Sequence, residues 1–186
     1  MDTMSEDYGK QINMALRAVE RMHSDCSRLL RDFDRKMEGW KSVFGSYATR
    51  DLTYNVAAER WMAEGVYRFY SQKALPHVVR GVTISFIEAK TEQPLVLVAE
   101  LKYVDETSEI KAVCREWDIW QLYFDWGSRK ALDEVVALTS PDPSKRIQSG
   151  RVLAKPLYAI NSIEEVAEMM NRVASADRPN SLGAAH

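Results

Sequence analysis

Residues 10–45 read KQINMALRAVERMHSDCSRLLRDFDRKMEGWKSVFG, and along them a stripe of side chains recurs at alternating steps of four and three. Its members are Ile12, Leu16, Val19, His23, Cys26, Leu30, Phe33, Met37, Trp40 and Phe44, all apolar in character except His23. Steps of four and three average 3.5, which draws one narrow stripe along a single α-helix from about Lys10 to Phe44, roughly 50 Å long at 1.5 Å per residue. Such a stripe requires a partner surface. The partner is either the sheet of the same domain or a second helix in a coiled coil, and the first is preferred. The remaining faces carry a solvated mixture that includes Arg17, Glu20, Arg21, Asp25, Arg28, Asp32 and Arg35, with opposite charges three or four residues apart. Gly39 inside this helix costs about 1 kcal/mol relative to Ala, and Gly45 followed by Ser46 is the expected stop.

A chain of 186 residues that is 46% hydrophobic can build one substantial core and is too short to argue for two. The expectation is a single globular domain over residues 1–175, with a disordered tail at 176–186. A net charge of −2 and the absence of a long Lys/Arg run leave nucleic acid unsupported as a partner. The acidic, polar start Met1-Asp-Thr-Met-Ser-Glu-Asp7 lacks the basic and apolar regions of an export signal, and no apolar run reaches membrane-spanning length. A cytoplasmic protein without a membrane segment is expected. Its two cysteines, Cys26 and Cys114, sit among apolar residues as reduced, buried thiols would.

Beyond the first helix, Val56, Ala58, Met62, Ala63, Val66, Tyr67, Phe69 and Tyr70 cover more than half of a helical wheel, which predicts a second long helix over residues 52–71 packed on two sides. Trp61 falls on its polar arc. Two strand-like runs follow at 78–88 and 95–104. In the second, Leu95, Leu97, Ala99, Leu101 and Tyr103 share the face assigned to the core, and Val96, Val98, Glu100, Lys102 and Val104 share the other. The short polar connection at 89–94 favours an antiparallel hairpin over a parallel crossover.

Residues 108–126 admit two readings. Ile110, Val113, Cys114 and Trp117 have helical spacing, while the aromatic run Trp117-Asp-Ile-Trp-Gln-Leu-Tyr-Phe-Asp-Trp126 has strand composition. A strand at 117–126 followed by a helix at 128–138 is preferred to one long helix followed by a strand at 135–139. Ser140-Pro-Asp-Pro-Ser-Lys-Arg146 reads as a linker. A run at 151–160 interrupted by Pro156 reads as a strand at an edge or in a bulge, the edge being preferred, and Ser162-Ile-Glu-Glu165 as the capping box of a last helix through Val166, Met170 and Val173. The fold class is α+β: an antiparallel sheet built on the 78–104 hairpin, packed against two long N-terminal helices, with a C-terminal edge strand and helix.

Chemistry-bearing patterns are few. Glu100-Leu-Lys102 resembles the Glu-x-Lys half of the PD-(D/E)XK nucleases, in which a carboxylate and an ammonium on one strand face hold a divalent metal and activate a water. Glu88, near the hairpin turn, is the only candidate for the second acidic ligand, and Glu88-Ala-Lys90 repeats the pattern. The simpler reading is a surface pair opposite Thr83 and Ser85. His23 and Cys26 share a helix face, but a zinc site needs a third ligand, and Cys114, His77 and His186 have no recognisable spacing, so core packing is expected and no metal or other cofactor is assigned. Arg17 and His23 have the Arg-x-His spacing of helical HEPN ribonucleases, but Ala18 stands where those have a polar residue. Lys145, Arg146, Arg151 and Lys155 gather around the linker as a solvated loop. Neither a nucleophile elbow nor a Gly-rich phosphate loop is present in the sequence.

The order of elements over roughly residues 20–105 resembles a bacterial HORMA domain. The matching parts are a first helix with Asp25-Cys-Ser-Arg-Leu-Leu-Arg-Asp32, a broadly apolar second helix ending Tyr67-Arg-Phe-Tyr70, and the hairpin Val82-Thr-Ile-Ser-Phe86 with Val98-Ala-Glu-Leu-Lys-Tyr103. The resemblance implies a non-enzymatic signalling adaptor whose segment after about Ser140 folds over a short peptide of a partner protein. It implies further that the partner is an enzyme, a nucleotidyltransferase making cyclic oligonucleotides in anti-phage defence, and that an AAA+ ATPase resets the complex. Residues 140–173 would then be a segment able to detach, joined through the proline-rich linker. The expected function is a non-enzymatic interaction adaptor, and the alternative is a metal-dependent nuclease using Glu100, Lys102 and Glu88.

Overall fold

The computed structural model describes residues 3–45, 49–50, 65–86, 93–103, 110–111, 114, 119–127, 131–142 and 144–176. The expected helix over 52–64 with Trp61, the turn residues 87–92 with Glu88, the start of the expected 128–138 helix, His186 and nearly all of the expected tail lie outside these residues.

The 78–104 hairpin is the spine of the molecule. Strand β4 (Leu75–Ser85) and strand β5 (Leu95–Tyr103) pair antiparallel from Val78↔Lys102 to Ser85↔Leu95. Alternation along β5 divides its residues as expected, but both faces are covered. Leu95, Leu97, Ala99 and Leu101 belong to one core, and Val96 and Val98 are equally buried in a second core on the opposite side. A strand covered on both faces reads as a continuous apolar run, here Leu95 to Ala99.

Residues 65–72, expected as the end of a helix, form strand β3 (Gly65–Gln72), antiparallel to β4. The physical reason is the double burial. Val66 and Tyr70 face one core, while Phe69 and Tyr67 pack in the other, so the segment is apolar all round and a helical wheel imitates a helix packed on two sides. Short strands β1 (Lys41–Ser42) and β2 (Thr49–Arg50) pair with the outer side of β3.

The aromatic run also departs from the preferred reading. It is helix α2 (Ile119–Trp126), followed by strand β6 (Val135–Thr139), which is the other of the two readings. Ile119, Leu122 and Tyr123 are buried at helical spacing, and in β6 the buried Val136 and Leu138 alternate with exposed Ala137 and Thr139. Period outweighs the strand preference of aromatic residues.

Residues 140–146 are the connection of a β6–β7 hairpin rather than an interdomain linker. Ser140 donates its N–H to Gln148, and the Asp142 carboxylate accepts the Ser144 N–H at 2.8 Å. Strand β7 (Ile147–Pro156) is an interior strand, bonded to β5 on one side and β6 on the other, and not the expected edge. Pro156 is compatible with this because it is the last residue of the ladder, opposite Leu95, where a missing N–H removes little. The sheet runs β1-β3-β4-β5-β7-β6 with β2 beside β3, antiparallel throughout, and the edge position belongs to β6.

Helix α1 (Thr3–Lys36) begins earlier and stops earlier than expected. Gly39 is the terminator: its φ of +76° is the left-handed conformation that ends helices, and a side chain there would be strained. Trp40 and Phe44, the last members of the stripe, therefore lie beyond the helix, and Phe44 packs in the opposite core. After a single 3-10 turn (Leu157–Ala159), helix α3 (Ile163–Ser175) starts at the expected place and buries Val166, Met169, Met170 and Val173. Ser162 holds the N-cap position, although its hydroxyl makes no capping bond. Helices α1 and α3 share one face of the sheet, and α2 covers the other, which completes an α+β fold of three layers.

Candidate functional site

Glu100 is not a surface residue. Its position on β5 lies opposite Arg80 on β4 and Arg151 on β7, not opposite Thr83 and Ser85. Each carboxylate oxygen accepts from one guanidinium, Arg80 on Oε2 and Arg151 on Oε1, both at 2.9 Å. Glu100 is 7% exposed, and Arg80 also stacks on the Trp40 ring at 4.3 Å. A carboxylate paired with two arginines has its charge offset by them, and its surroundings are cationic rather than acidic, which disfavours a divalent metal there. Lys102, two residues along the same face, is exposed opposite Val78. Glu88 lies outside the described residues. Arg80 was missed, because the expected hairpin, closing at 89–94, set Thr83 and Ser85 opposite Glu100, whereas the observed ladder pairs Glu100 with Arg80. Arg151 was missed because nothing in the sequence sets β7 next to β5.

A second ionic cluster ties α1 to the sheet. Arg68 of β3, 6% exposed, donates through Nε and a terminal nitrogen to the two oxygens of Asp34, and the Tyr70 hydroxyl donates to Oδ1 at 2.7 Å. Burial, then the bond to Asp34, raises the Tyr70 hydroxyl above its ordinary range, so it stays protonated as a donor. The first cluster ties three neighbouring strands of the sheet and the second ties a helix to it.

The cysteines and histidines behave as packing residues. Burial, reinforced by Asp25, pushes the Cys26 thiol up to about 11, and burial pushes Cys114 up to about 12. Burial thus favours the neutral thiol in both, which disfavours them as nucleophiles and as metal ligands. His23 packs edge-on against Phe86 at 5.1 Å. Among the described residues no group of three or more His, Cys, Asp and Glu side chains is arranged to hold a metal ion. The basic residues expected around the linker do not form one patch, since Arg151 bonds Glu100 and Lys155 pairs with Asp133 at 3.3 Å.

What remains is α1 itself. From Cys26 onward its stripe is covered: Leu30 is 4% and Phe33 1% exposed. Before His23 the same stripe meets solvent, with Ile12 46% and Leu16 62% exposed, and Tyr8 and Met14 beside them at 67% and 71%. The helix thus overhangs the sheet by several turns. Where the overhang joins the body, a groove of about 690 Å³ runs along the side of α1, lined by Ala18, Met22, Cys26 and Leu29 and, across from them, by Leu157, Ile160 and Ile163. Arg21, Asp25, Arg28 and Asp32 line it as well. Sequence reasoning found the stripe but missed the groove, whose second wall comes from residues more than a hundred positions away. The helix wall did leave a trace, in Tyr8, Ala15, Met22 and Leu29 at a repeat of seven.

Comparisons of the chain with family models, with curated proteins and with solved structures find no match. Among the described residues, no helix is long and apolar enough to cross a membrane.

Proposed function

We propose that this chain is a non-enzymatic protein-interaction adaptor and that its docking element is the N-terminal half of α1. The observation that carries the reading is continuity. One period, apolar except at His23, runs from a half that is buried on the sheet into a half that is exposed, and a folded domain gains nothing from four large apolar side chains in water unless a partner covers them. The nuclease alternative has weaker support, because Glu100 is committed to Arg80 and Arg151.

The resemblance to HORMA proteins suggests a different docking mode, a C-terminal clamp over a peptide. That mode would require β7 to leave both β5 and β6, a ladder of backbone bonds on each side, whereas the overhang binds with the fold intact. The helix mode is therefore preferred within the adaptor reading.

The test is co-purification of the tagged full chain from its native host, beside a Leu16→Glu variant, with a differently tagged second copy co-expressed. A protein recovered near stoichiometry with the parent and lost with Leu16→Glu supports the proposal; that protein is either the second copy or another chain. Identical recovery with both chains overturns it. So does magnesium-dependent cleavage of nucleic acid that a folded Glu100→Gln variant no longer performs.

A further inference from the structure

We infer that the occupant of the overhang is a second copy of this chain, with the two α1 helices antiparallel, side by side, about a two-fold axis close to Arg21. This rests on the adaptor reading above and deepens it. At 3.6 residues per turn, the groove-facing side of α1 (Ala18, Met22, Asp25, Leu29) lies about a quarter turn from its sheet-facing side (Cys26, Leu30, Phe33). Continued into the overhang, the sheet-facing side presents Ile12, Leu16 and Val19, and the groove-facing side presents Gln11, Met14, Ala15 and Ala18.

A two-fold axis along the sheet normal keeps the sheet-facing direction the same in both copies. The overhang of one copy then lies in the groove of the other, its Ile12 and Leu16 pointing onto Leu157, Ile160 and Ile163 while its flank abuts the partner α1. The interface is isologous: ridge and groove sit side by side on one surface, so each copy supplies what the other lacks. Ala15 and Ala18 on the flank allow close approach of the two helices, and Met22 packs near its own copy beside the axis.

Charge favours this register over a parallel one. With the axis at Arg21, Lys10 of each copy stands opposite Asp32 of the other, and Arg17 opposite Asp25, giving four attractive pairs in which Asp25 and Asp32, bonded in their own chain to Arg28 at 2.9 Å and Arg35 at 2.7 Å, each take a second cation. Asp7 meets Arg35 in the same register. The two exposed Arg21 side chains approach each other at the outer rim, a like-charge contact in solvent. A parallel pairing in register sets Arg17 against Arg17 and Asp25 against Asp25 and gains none of these pairs.

The experiment is sedimentation equilibrium of the full chain over a dilution series, with variants and a cross-link. The parent should show a monomer–dimer equilibrium, and Leu16→Glu should be monomeric throughout while keeping the parent's circular dichroism. Arg17→Glu alone and Asp25→Arg alone should each weaken the dimer by about tenfold, two pairs being reversed in each case, and the double variant should recover most of that loss. A bismaleimide should link Met14→Cys in one copy to Arg28→Cys in the other, with the buried native thiols silent. A parent that is monomeric at every concentration overturns self-pairing, while the adaptor reading stands or falls separately on whether Leu16→Glu loses another protein. A dimer that Leu16→Glu leaves intact, failure of the double swap to recover, or linkage of Met14→Cys to Met14→Cys overturns the arrangement.

Discussion

The two halves of α1 have the same period and nearly the same apolar content, yet Leu30 and Phe33 are buried while Ile12 and Leu16 face water. Nothing local separates them. The difference is the surface underneath: from Cys26 onward the helix lies over Val82, Val98 and Val166, and Asp34 locks it to Arg68 and Tyr70. Toward the N-terminus the sheet ends and the helix continues. A hydrophobic period therefore reports that a face is to be covered, without saying by which chain.

The comparison can be broken most sharply with two substitutions of the same kind at its two ends. Phe33→Ala removes a ring that is 1% exposed and stacked edge-on with Tyr70 at 5.7 Å, and should cost about 4 kcal/mol in urea denaturation. A loss below about 1 kcal/mol would mean that the buried half is not docked as described. Somewhat less, about 3 kcal/mol, should follow from Glu100→Gln, which leaves Arg80 and Arg151 facing one neutral amide in a nearly closed site. An unchanged urea midpoint in that variant would place Glu100 in solvent and return it to candidate chemistry.

A smaller, pH-dependent effect belongs to Asp133, an exposed residue at φ +58° bonded to Arg172 at 2.7 Å. The Arg172 bond, with Lys155 adding to it, holds this carboxyl below its ordinary range. Its folded pKa lies below its unfolded one, so the unfolded chain binds the proton first on acidification. The stabilisation is present above the unfolded carboxylate value and is lost as pH falls through the folded value. Asp133→Asn, which tolerates the same backbone, should flatten the melting temperature across that acidic window and leave the pH 7 to 8 slope unchanged. Last, Leu16→Ala should change the stability of the dilute chain by less than about 0.5 kcal/mol, the value for a solvated helix position. A loss as large as that of Phe33→Ala would show that the overhang is packed on its own domain.

The hairpin was legible because Leu95 to Tyr103 alternates and its turn is short, and the last helix because Ser162 and the Val166, Met170, Val173 spacing mark it. Three errors share one cause. Residues 65–72, 117–126 and 135–139 are short and apolar, and such segments read as helix or strand alike until their neighbours are known. Gly39 was misjudged for a different reason, since the stripe runs on through Trp40 and Phe44, and only the backbone shows that these residues have left the helix. For the candidate site, the exposed half of the stripe was legible as a pattern needing a partner. The facing wall of Leu157, Ile160 and Ile163 was not, because it is brought to α1 by the path of β7, which lies between β5 and the edge strand β6.

The most direct measurement is amide hydrogen exchange along α1 at low and high protein concentration. The account predicts strong protection of residues 26–36 at both, and protection of residues 8–22 that appears only at high concentration, when the second copy occupies the groove. Protection of residues 8–22 that is equally strong at dilution, or absent at every concentration, would contradict it.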